Sequence, residues 1–315
     1  KGSEVSGSKK ALFFWAVGVG EKFGLYGASG RISEMKLKVA RKLIFSKWQE
    51  ALGGNVQAVA SGSAALNPRL ARIFNAANIP VLEGYGLTET SPVISVNEID
   101  NNGMKIGTTG RPIRDVHVKI ADDGEILVKG PNVMMGYYKR PDLTEEVLRD
   151  GWFHTGDIGE LVDGQFLKIT DRKKEIFKTS GGKYIAPQIM ENKFKESRFI
   201  EQIIVVGEYK KHPSALIVPT FEFLEEWCRR KEIDCSTREK MITDQKVIDR
   251  FQEEVDHYNE GFGRWEQIKK FKLLPDEFTV DNNMVTPTLK LKRKEIHKNY
   301  HDLIEEIYRE PVPVK

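Results

Sequence analysis

The segment Val56 to Leu82 constrains the fold most. A strand-like run, Val56-Gln-Ala-Val-Ala60, meets the small-residue turn Ser61-Gly-Ser-Ala-Ala65. A helix over Asn67–Ala77 follows, and then a second apolar run, Ile79-Pro-Val-Leu82, that ends in Glu83-Gly-Tyr-Gly-Leu-Thr-Glu-Thr90. Strand, helix and strand in so short a span read as a parallel α/β sheet with its crossover helix. Ligands of such sheets bind beyond the carboxyl ends of the strands, where both glycine-bearing turns lie, so the two turns are expected to line one crevice.

Upstream, helices are expected over Ala11–Glu21 and Ser33–Glu50. In the second, Leu37, Leu43, Ile44 and Trp48 recur near helical spacing among basic residues. Such a basic amphipathic helix fits a membrane surface, and it equally fits a helix lying on a sheet with its Lys and Arg in water. Downstream, Val116–Ile120, Glu125–Lys129, Glu160–Val162 and Gln165–Thr170 alternate as strands and predict a small barrel-like β subdomain. Gln165–Thr170 and Glu175–Thr179 flank the charged break Asp171-Arg-Lys-Lys174, which therefore reads as a turn. Asp157, after a Thr155-Gly156 turn, can accept from two neighbouring ribose hydroxyls, and the Arg172 guanidinium can donate to the same sugar or its phosphate. The plainer reading is a solvated basic hairpin beside an ordinary Gly-Asp turn.

Beyond the break come a helix from Pro187 to Arg198, strands at Gln202–Val206 and Ala215–Val218, and two charged helices between Glu222 and Glu260. A strand at Ile268–Leu274 and a helix over Arg293–Arg309 complete the pattern. The expected fold class is α/β: a remnant of a parallel sheet flanked by helices, a small β-barrel-like subdomain, and a smaller α+β C-terminal lid. The expected divisions are 1–103, 104–171 and 172–315.

Composition excludes more than it assigns. A net charge of +3 over 315 residues gives no nucleic-acid signature, although the first fifty residues carry ten Lys or Arg against four Glu. Cys228 and Cys235 match no common zinc spacing and read as reduced thiols of a cytoplasmic protein. His297 and His301 are four apart on one expected helix and lack a third ligand. The apolar run Ala11–Gly20 is too short to cross a bilayer. The chain begins at Lys1, which suggests a piece of something longer.

Taken in order, Tyr85-Gly-Leu-Thr-Glu-Thr90, Thr155-Gly-Asp157, Asp171-Arg172, Ser180-Gly-Gly-Lys183 and Pro287-Thr-Leu-Lys-Leu-Lys-Arg293 resemble one family. It is the adenylate-forming superfamily of acyl-CoA synthetases, luciferases and peptide-synthetase adenylation domains, and within it the long-chain fatty-acid CoA ligases. The resemblance runs from about Leu12 onward. It implies that Gly62, Ser63 and Ala64, with Glu83, Gly84, Tyr85 and Gly86, line the adenine nucleotide, Tyr85 offering its ring to the base. It implies further that Thr88 donates to the α-phosphate, Glu89 holds Mg²⁺, and Asp157 and Arg172 take the ribose.

Lys174 takes the family's hinge position. The resemblance implies that Gly181 and Gly182 line the passage for the pantetheine arm of CoA and that Lys290 is the catalytic lysine of the first step. Lys292 and Arg293 read as supporting charges. The implied reaction activates a fatty acid with ATP to an acyl-adenylate, which the CoA thiol then attacks. The implied partners are fatty acid, ATP and CoA, with no nucleic acid and with peripheral contact at the inner face of a membrane.

Each motif alone has a plainer reading: a strand-to-helix turn at Ser61–Ala64, a helix cap at Thr88-Glu89, a hairpin turn at Gly181-Gly182, a solvated helix start at Lys290. One departure stands out. The family's Ser/Thr/Gly-rich phosphate loop ending in lysine is not among these residues, and no G-x-x-x-x-G-K-[ST] replaces it. The expectation is a chain that holds AMP or acyl-adenylate, makes acyl-CoA poorly, and self-associates through uncovered sheet edge. The competing readings are a fatty-acyl-AMP ligase serving a carrier protein and a non-catalytic nucleotide-binding module.

Overall fold

The computed structural model describes residues 7–28, 30–100 and 102–309, and their contacts fall into two units that divide between Ile169 and Thr170. In the first unit, α1 (Ser8–Glu21) is followed by α2 (Arg31–Ala40), which passes through a wider turn at Arg41–Phe45 into α3 (Ser46–Ala51). Leu37, Ala40 and Phe45 recur on one face of this run and close over Ala16, Ala76, Ala77 and Ile79. The basic helix is therefore packed against α1 by its apolar face.

β1 (Val59–Ser61), α4 (Pro68–Ala76) and β2 (Val81–Gly86) form the expected crossover. Asn67 starts α4 by accepting the Arg69 N–H at 2.9 Å, and Pro68 supplies a preset φ at the first helical position. β1 and β2 pair in parallel, with Ser61 opposite Glu83. The sheet then grows by antiparallel strands, β3 (Val93–Val96) on β2 and β4 (Arg111–Pro112) on β3, because the chain turns straight back after Gly86. Glu83–Gly86, expected as a turn, belongs to β2 itself.

The β subdomain comprises β5 (His117–Ile120), β6 (Glu125–Lys129), α5 (Pro141–Val147), β7 (Leu148–Arg149), β8 (Trp152–Val162) and β9 (Phe166–Arg172). Its sheet runs β5-β6-β8-β7, with β9 also on β8. Ile94, Val116, Ile126, Val128, Phe153 and Leu167 form its core.

In the second unit, β10 (Phe177–Lys178) and β11 (Tyr184–Ile185) form a short hairpin ahead of α6 (Pro187–Phe194). β12 (Ile200–Val206) and β13 (Ser214–Pro219) are antiparallel and almost wholly apolar. α7 (Phe221–Arg230), α8 (Arg238–Thr243) and α9 (Gln245–Asn259) follow, then β14 (Phe271–Leu273) parallel to β13, then α10 (Arg293–Asn299) and α11 (His301–Arg309).

Several expectations change here. The strands beside the charged break pair elsewhere, β9 with β8 and β10 with β11, so the break is a turn and not the tip of a basic hairpin. Three helices, not two, lie in the charged stretch, because Thr237 and Asp244 each cap a new start through Lys240 N–H and Lys246 N–H. The last helix breaks at Tyr300, which places His297 and His301 on different helices. Among the described residues no His/Cys/Asp/Glu cluster is suited to a metal ion, and no helix is long and apolar enough to cross a membrane. Cys228 is buried in α7, and burial pushes its thiol up to about 11, which makes it a packing residue.

Candidate active site

The two glycine-bearing segments meet through the parallel pair. Gly62 follows β1 directly, and a methyl group there would stand 3.6 Å from the Gly84 carbonyl. Ser63 continues the turn with φ +70°. The Glu83 carboxylate folds back under this turn and accepts the Leu66 N–H at 3.2 Å. Burial pushes Glu83 up to about 7 from its ordinary 4.5, the Leu66 bond opposing.

A pH dependence follows from Glu83. The folded chain keeps this proton to higher pH than the unfolded chain does, so it binds more protons between about 4.5 and about 7. Stability from this residue is therefore full below that window and falls as pH rises through it. Glu83→Gln keeps the acceptor for Leu66 and removes the charge. The variant should gain on the parent by up to about 3 kcal/mol between about pH 5 and about pH 8. Denaturant melts at both pH values check this, and a constant difference would contradict it.

Tyr85 and Asp157 are brought together from distant parts of the chain. The Tyr85 hydroxyl donates to Asp157 Oδ2 at 2.7 Å, and the carboxylate is buried. Asp157 does not follow a turn; it lies in the middle of β8, at an irregularity in the β6–β8 register between Glu125 and Leu127. Thr155 Oγ1 donates to the Ile126 carbonyl at 2.8 Å and accepts the Asp157 N–H at 3.1 Å. Gly156, at φ +71°, turns its N–H onto Glu125 Oε1 at 3.0 Å, and Glu125 Oε2 lies 3.2 Å from His154 Nδ1. Thr-Gly-Asp is thus a bulge pinned by Glu125, a buried residue that sequence reading passes over as an ordinary strand start.

After β2 a short turn carries Thr88 and Glu89. Thr90 organises it: its Oγ1 accepts the Leu87 N–H at 3.0 Å and lies 3.0 Å from both the Leu87 and Pro92 carbonyls. Thr88 is left exposed. Glu89 is half-buried, with its carbonyl receiving the Met134 N–H at 2.8 Å and its Oε1 the Tyr137 hydroxyl at 2.9 Å. Burial, and next the bond to Glu89, hold the Tyr137 phenol above its ordinary range. A single oriented carboxylate with further lone pairs fits Mg²⁺, which keeps most of its waters and takes one or two carboxylates beside phosphate oxygens.

In the second unit, Asp171 is fully buried and caps α6, accepting the Gln188 N–H at 3.0 Å and the Arg172 N–H at 2.6 Å. Burial pushes it up to about 7 against those two bonds and the nearby Arg293 charge. Arg172, the last residue of β9, and Lys174, in the turn after it, are both exposed. Gly181 and Gly182 occupy the hairpin turn between β10 and β11, Gly182 at φ +77° and with its N–H on the Thr179 carbonyl at 2.9 Å. The plain hairpin reading of these two glycines is therefore correct as a description of the backbone.

Lys290 sits on a tight loop. Thr286 N–H donates to the Lys290 carbonyl at 2.8 Å, Lys290 N–H donates to Thr286 Oγ1 at 3.1 Å, and Val285 bridges Leu291. The Lys290 side chain is exposed. Arg293, read as a supporting charge, is instead half-buried in an ion-pair cluster. Its Nε donates to Glu175 Oε2 at 2.9 Å and its Nη2 to Glu191 Oε2 at 2.6 Å. Glu191 Oε1 in turn accepts the Val205 N–H at 2.7 Å.

The chain matches two family models in tandem, "AMP-binding enzyme" over residues 15–138 and "AMP-binding enzyme C-terminal domain" over residues 174–311. It is 39% identical over 284 residues to long-chain-fatty-acid–CoA ligase FadD15 of Mycobacterium bovis, covering 90% of this chain and 47% of that protein. It is 36% identical to human long-chain-fatty-acid–CoA ligase 6, covering 85% of this chain and 40% of the relative. The chain thus spans about half the length of the curated relatives it matches. In fold it is similar to the A domain of a carboxylic acid reductase from Segniliparus rugosus, solved in complex with AMP and a co-purified carboxylic acid. The TM-score is 0.64 at 23% identity, over 95% of this chain and 46% of that one. By its tandem family matches, the chain belongs to the AMP-binding, adenylate-forming enzyme family.

Proposed function

We propose that these residues form the adenylate-holding and lid parts of a long-chain fatty-acid CoA ligase. The observation that carries the reading is the bond between Tyr85 and the buried Asp157, in the same unit as the Gly62–Gly84 edge. The Tyr85 bond orients the Asp157 carboxylate, which can accept from two neighbouring ribose hydroxyls, and the same bond holds the Tyr85 ring that the base would stack on. Arg172 adds a cation for the sugar or its phosphate, and Thr88 a hydroxyl for the α-phosphate.

Glu89, oriented by Tyr137, would hold Mg²⁺, which neutralises phosphate charge when bound. Lys290 contributes its ammonium to the adenylation step, where charge develops between carboxylate and α-phosphate. The carboxylate oxygen attacks the α-phosphorus and pyrophosphate leaves. In the second step the CoA sulfur attacks the acyl carbon and AMP leaves. Gly181 and Gly182 offer no side chain that would block the CoA thiol. Lys174 is the hinge in this reading. A long-chain acid partitions into bilayers, so the enzyme would work on the cytoplasmic side as a peripheral protein.

Product analysis by mass spectrometry, with Mg-ATP, CoA and saturated fatty acids of mixed length, tests the proposal. This chain by itself should retain adenylate and release little acyl-CoA, since its residues include no family phosphate loop. Abundant acyl-CoA would establish the ligase and refute that requirement. Retention of neither adenylate nor product would overturn the proposal. Lys290→Ala should leave AMP affinity within about twofold, because an exposed lysine that acts in the chemical step adds little ground-state binding. Calorimetric titration with AMP reads this, and a large loss of affinity would contradict the role.

A further inference from the structure

The Gly181-Gly182 turn is held by residues outside every motif. β10 and β11 have only two residues each, and a ribbon that short does not fix its own turn. Two backbone bonds zip it to the loop 207–213. Ser180 N–H donates to the Lys210 carbonyl at 2.9 Å, and Tyr209 N–H donates to the Lys178 carbonyl at 2.8 Å. The last helix holds that loop in turn. The Tyr308 hydroxyl lies 3.1 Å from the Val206 carbonyl and 3.0 Å from the His212 carbonyl and can donate to either, so one side chain joins both ends of the loop. A methyl group at Gly207 would stand 2.9 Å from this hydroxyl oxygen, a measure of how closely the loop wraps it. Burial pushes the Tyr308 phenol up to about 12, which keeps it a donor at neutral pH. Glu305, also on α11, accepts from Lys210 Nζ at 2.6 and 2.9 Å, and Lys210 is the residue whose carbonyl receives Ser180. The buried Lys270 donates through Nζ to the Ile307 carbonyl at 2.6 Å and fixes the end of α11 that carries Tyr308.

We infer that Tyr308 and Glu305 are positioning residues for the thiol step: through the loop 207–213 they hold the Gly181-Gly182 turn in the shape that admits the CoA thiol. The inference rests on the ligase reading of that turn and deepens it. In that step the CoA sulfur bonds to the acyl carbon, AMP leaves with the electron pair of the broken bond, and the thiol proton passes to water. Tyr308 and Glu305 touch none of these atoms; they act through Lys210, Tyr209 and Ser180.

Amide hydrogen exchange and thiol-dependent turnover test it together. In Tyr308→Phe the Ser180 and Tyr209 amides should exchange at least about fivefold faster, the loss of one buried hydrogen bond. The Leu274 amide, held on the Ile217 carbonyl in the core, should keep the wild-type rate. Supplying synthetic hexadecanoyl-adenylate with CoA removes any need for a phosphate loop. CoA-dependent release of AMP at saturating CoA should then fall at least about fivefold in Tyr308→Phe, with AMP affinity unchanged. Glu306→Gln, which removes the Lys272 pair from the same helix, should alter none of these readouts. Circular dichroism establishes folding, and if Tyr308→Phe does not fold, Glu305→Gln decides on the same readouts. Unchanged exchange at Ser180, equal acceleration of all amides, or wild-type turnover in the variant would overturn the inference and leave the ligase reading standing. A wild-type chain that binds AMP but shows no CoA-dependent release would overturn the thiol half of the ligase reading, and this inference with it.

Discussion

Arg293→Met should destabilise the second unit by about 3–5 kcal/mol, the cost of removing one partner from a buried ion pair. The side chain is 15% exposed, and Glu191 only 5%. Burial by itself disfavours charge on both, and it is their mutual attraction that keeps Arg293 charged, with Glu175 adding to the effect. Methionine fills the volume and leaves two carboxylates without their cation.

The loss has a diagnostic pH dependence. Without Arg293 the folded-state pKa of Glu191 rises further above its unfolded value, so the variant is penalised increasingly as pH rises. Its deficit should therefore be smallest in acid and largest at neutral pH and above. Arg293→Lys should recover part of the stability, one donor group replacing a fork that reaches both acids. Denaturant melts of the three proteins at acid and neutral pH check this, and a deficit below about 1 kcal/mol would contradict the account of a buried pair.

Gly86→Ala should be severely disruptive to the first unit. A side-chain carbon at Gly86 would overlap the Pro92 carbonyl, with Val93 Cα immediately behind. Both obstacles are backbone, and Gly86 pairs with Val93 where the β2–β3 register shifts, so neither strand can give way alone. The expected cost is at least about 3 kcal/mol, as for severe overpacking. AMP binding should be lost with it, because Tyr85 on one side and Thr88 and Glu89 on the other depend on the same turn. Gly62→Ala, whose new methyl would find the Gly84 carbonyl at an ordinary 3.6 Å, should be far milder and serves as the control. Equal melting temperatures for the two variants would contradict the steric argument.

What the chain discloses before folding divides by range. Local signals read true: Asn67 and Pro68 start α4, and Glu125–Lys129 is a strand with those bounds. The motif residues were recognisable by type and order, yet the bond between Tyr85 and Asp157 spans 72 positions and no local pattern announces it. Arg293 sits between Lys292 and Lys294 and looks like another solvated cation; only the fold brings Glu175, 118 residues earlier, to it. Tyr137 and Glu125 were missed for the same reason, since each acts through long-range hydrogen bonds to a motif residue or its neighbour. By contrast, the extra helix start at Asp244 was announced by its capping residue, a local signal that could have been used.

This chain should hold an acyl-adenylate through Asp157. Isothermal titration with AMP, and with a non-hydrolysable adenylate analogue carrying a long acyl chain, measures it most directly. The chain should bind both saturably at one site, and Asp157→Ala should weaken both by at least about tenfold, the loss of charged hydrogen bonds to ribose. No saturable binding by a folded chain, or affinity that Asp157→Ala leaves unchanged, would contradict the account.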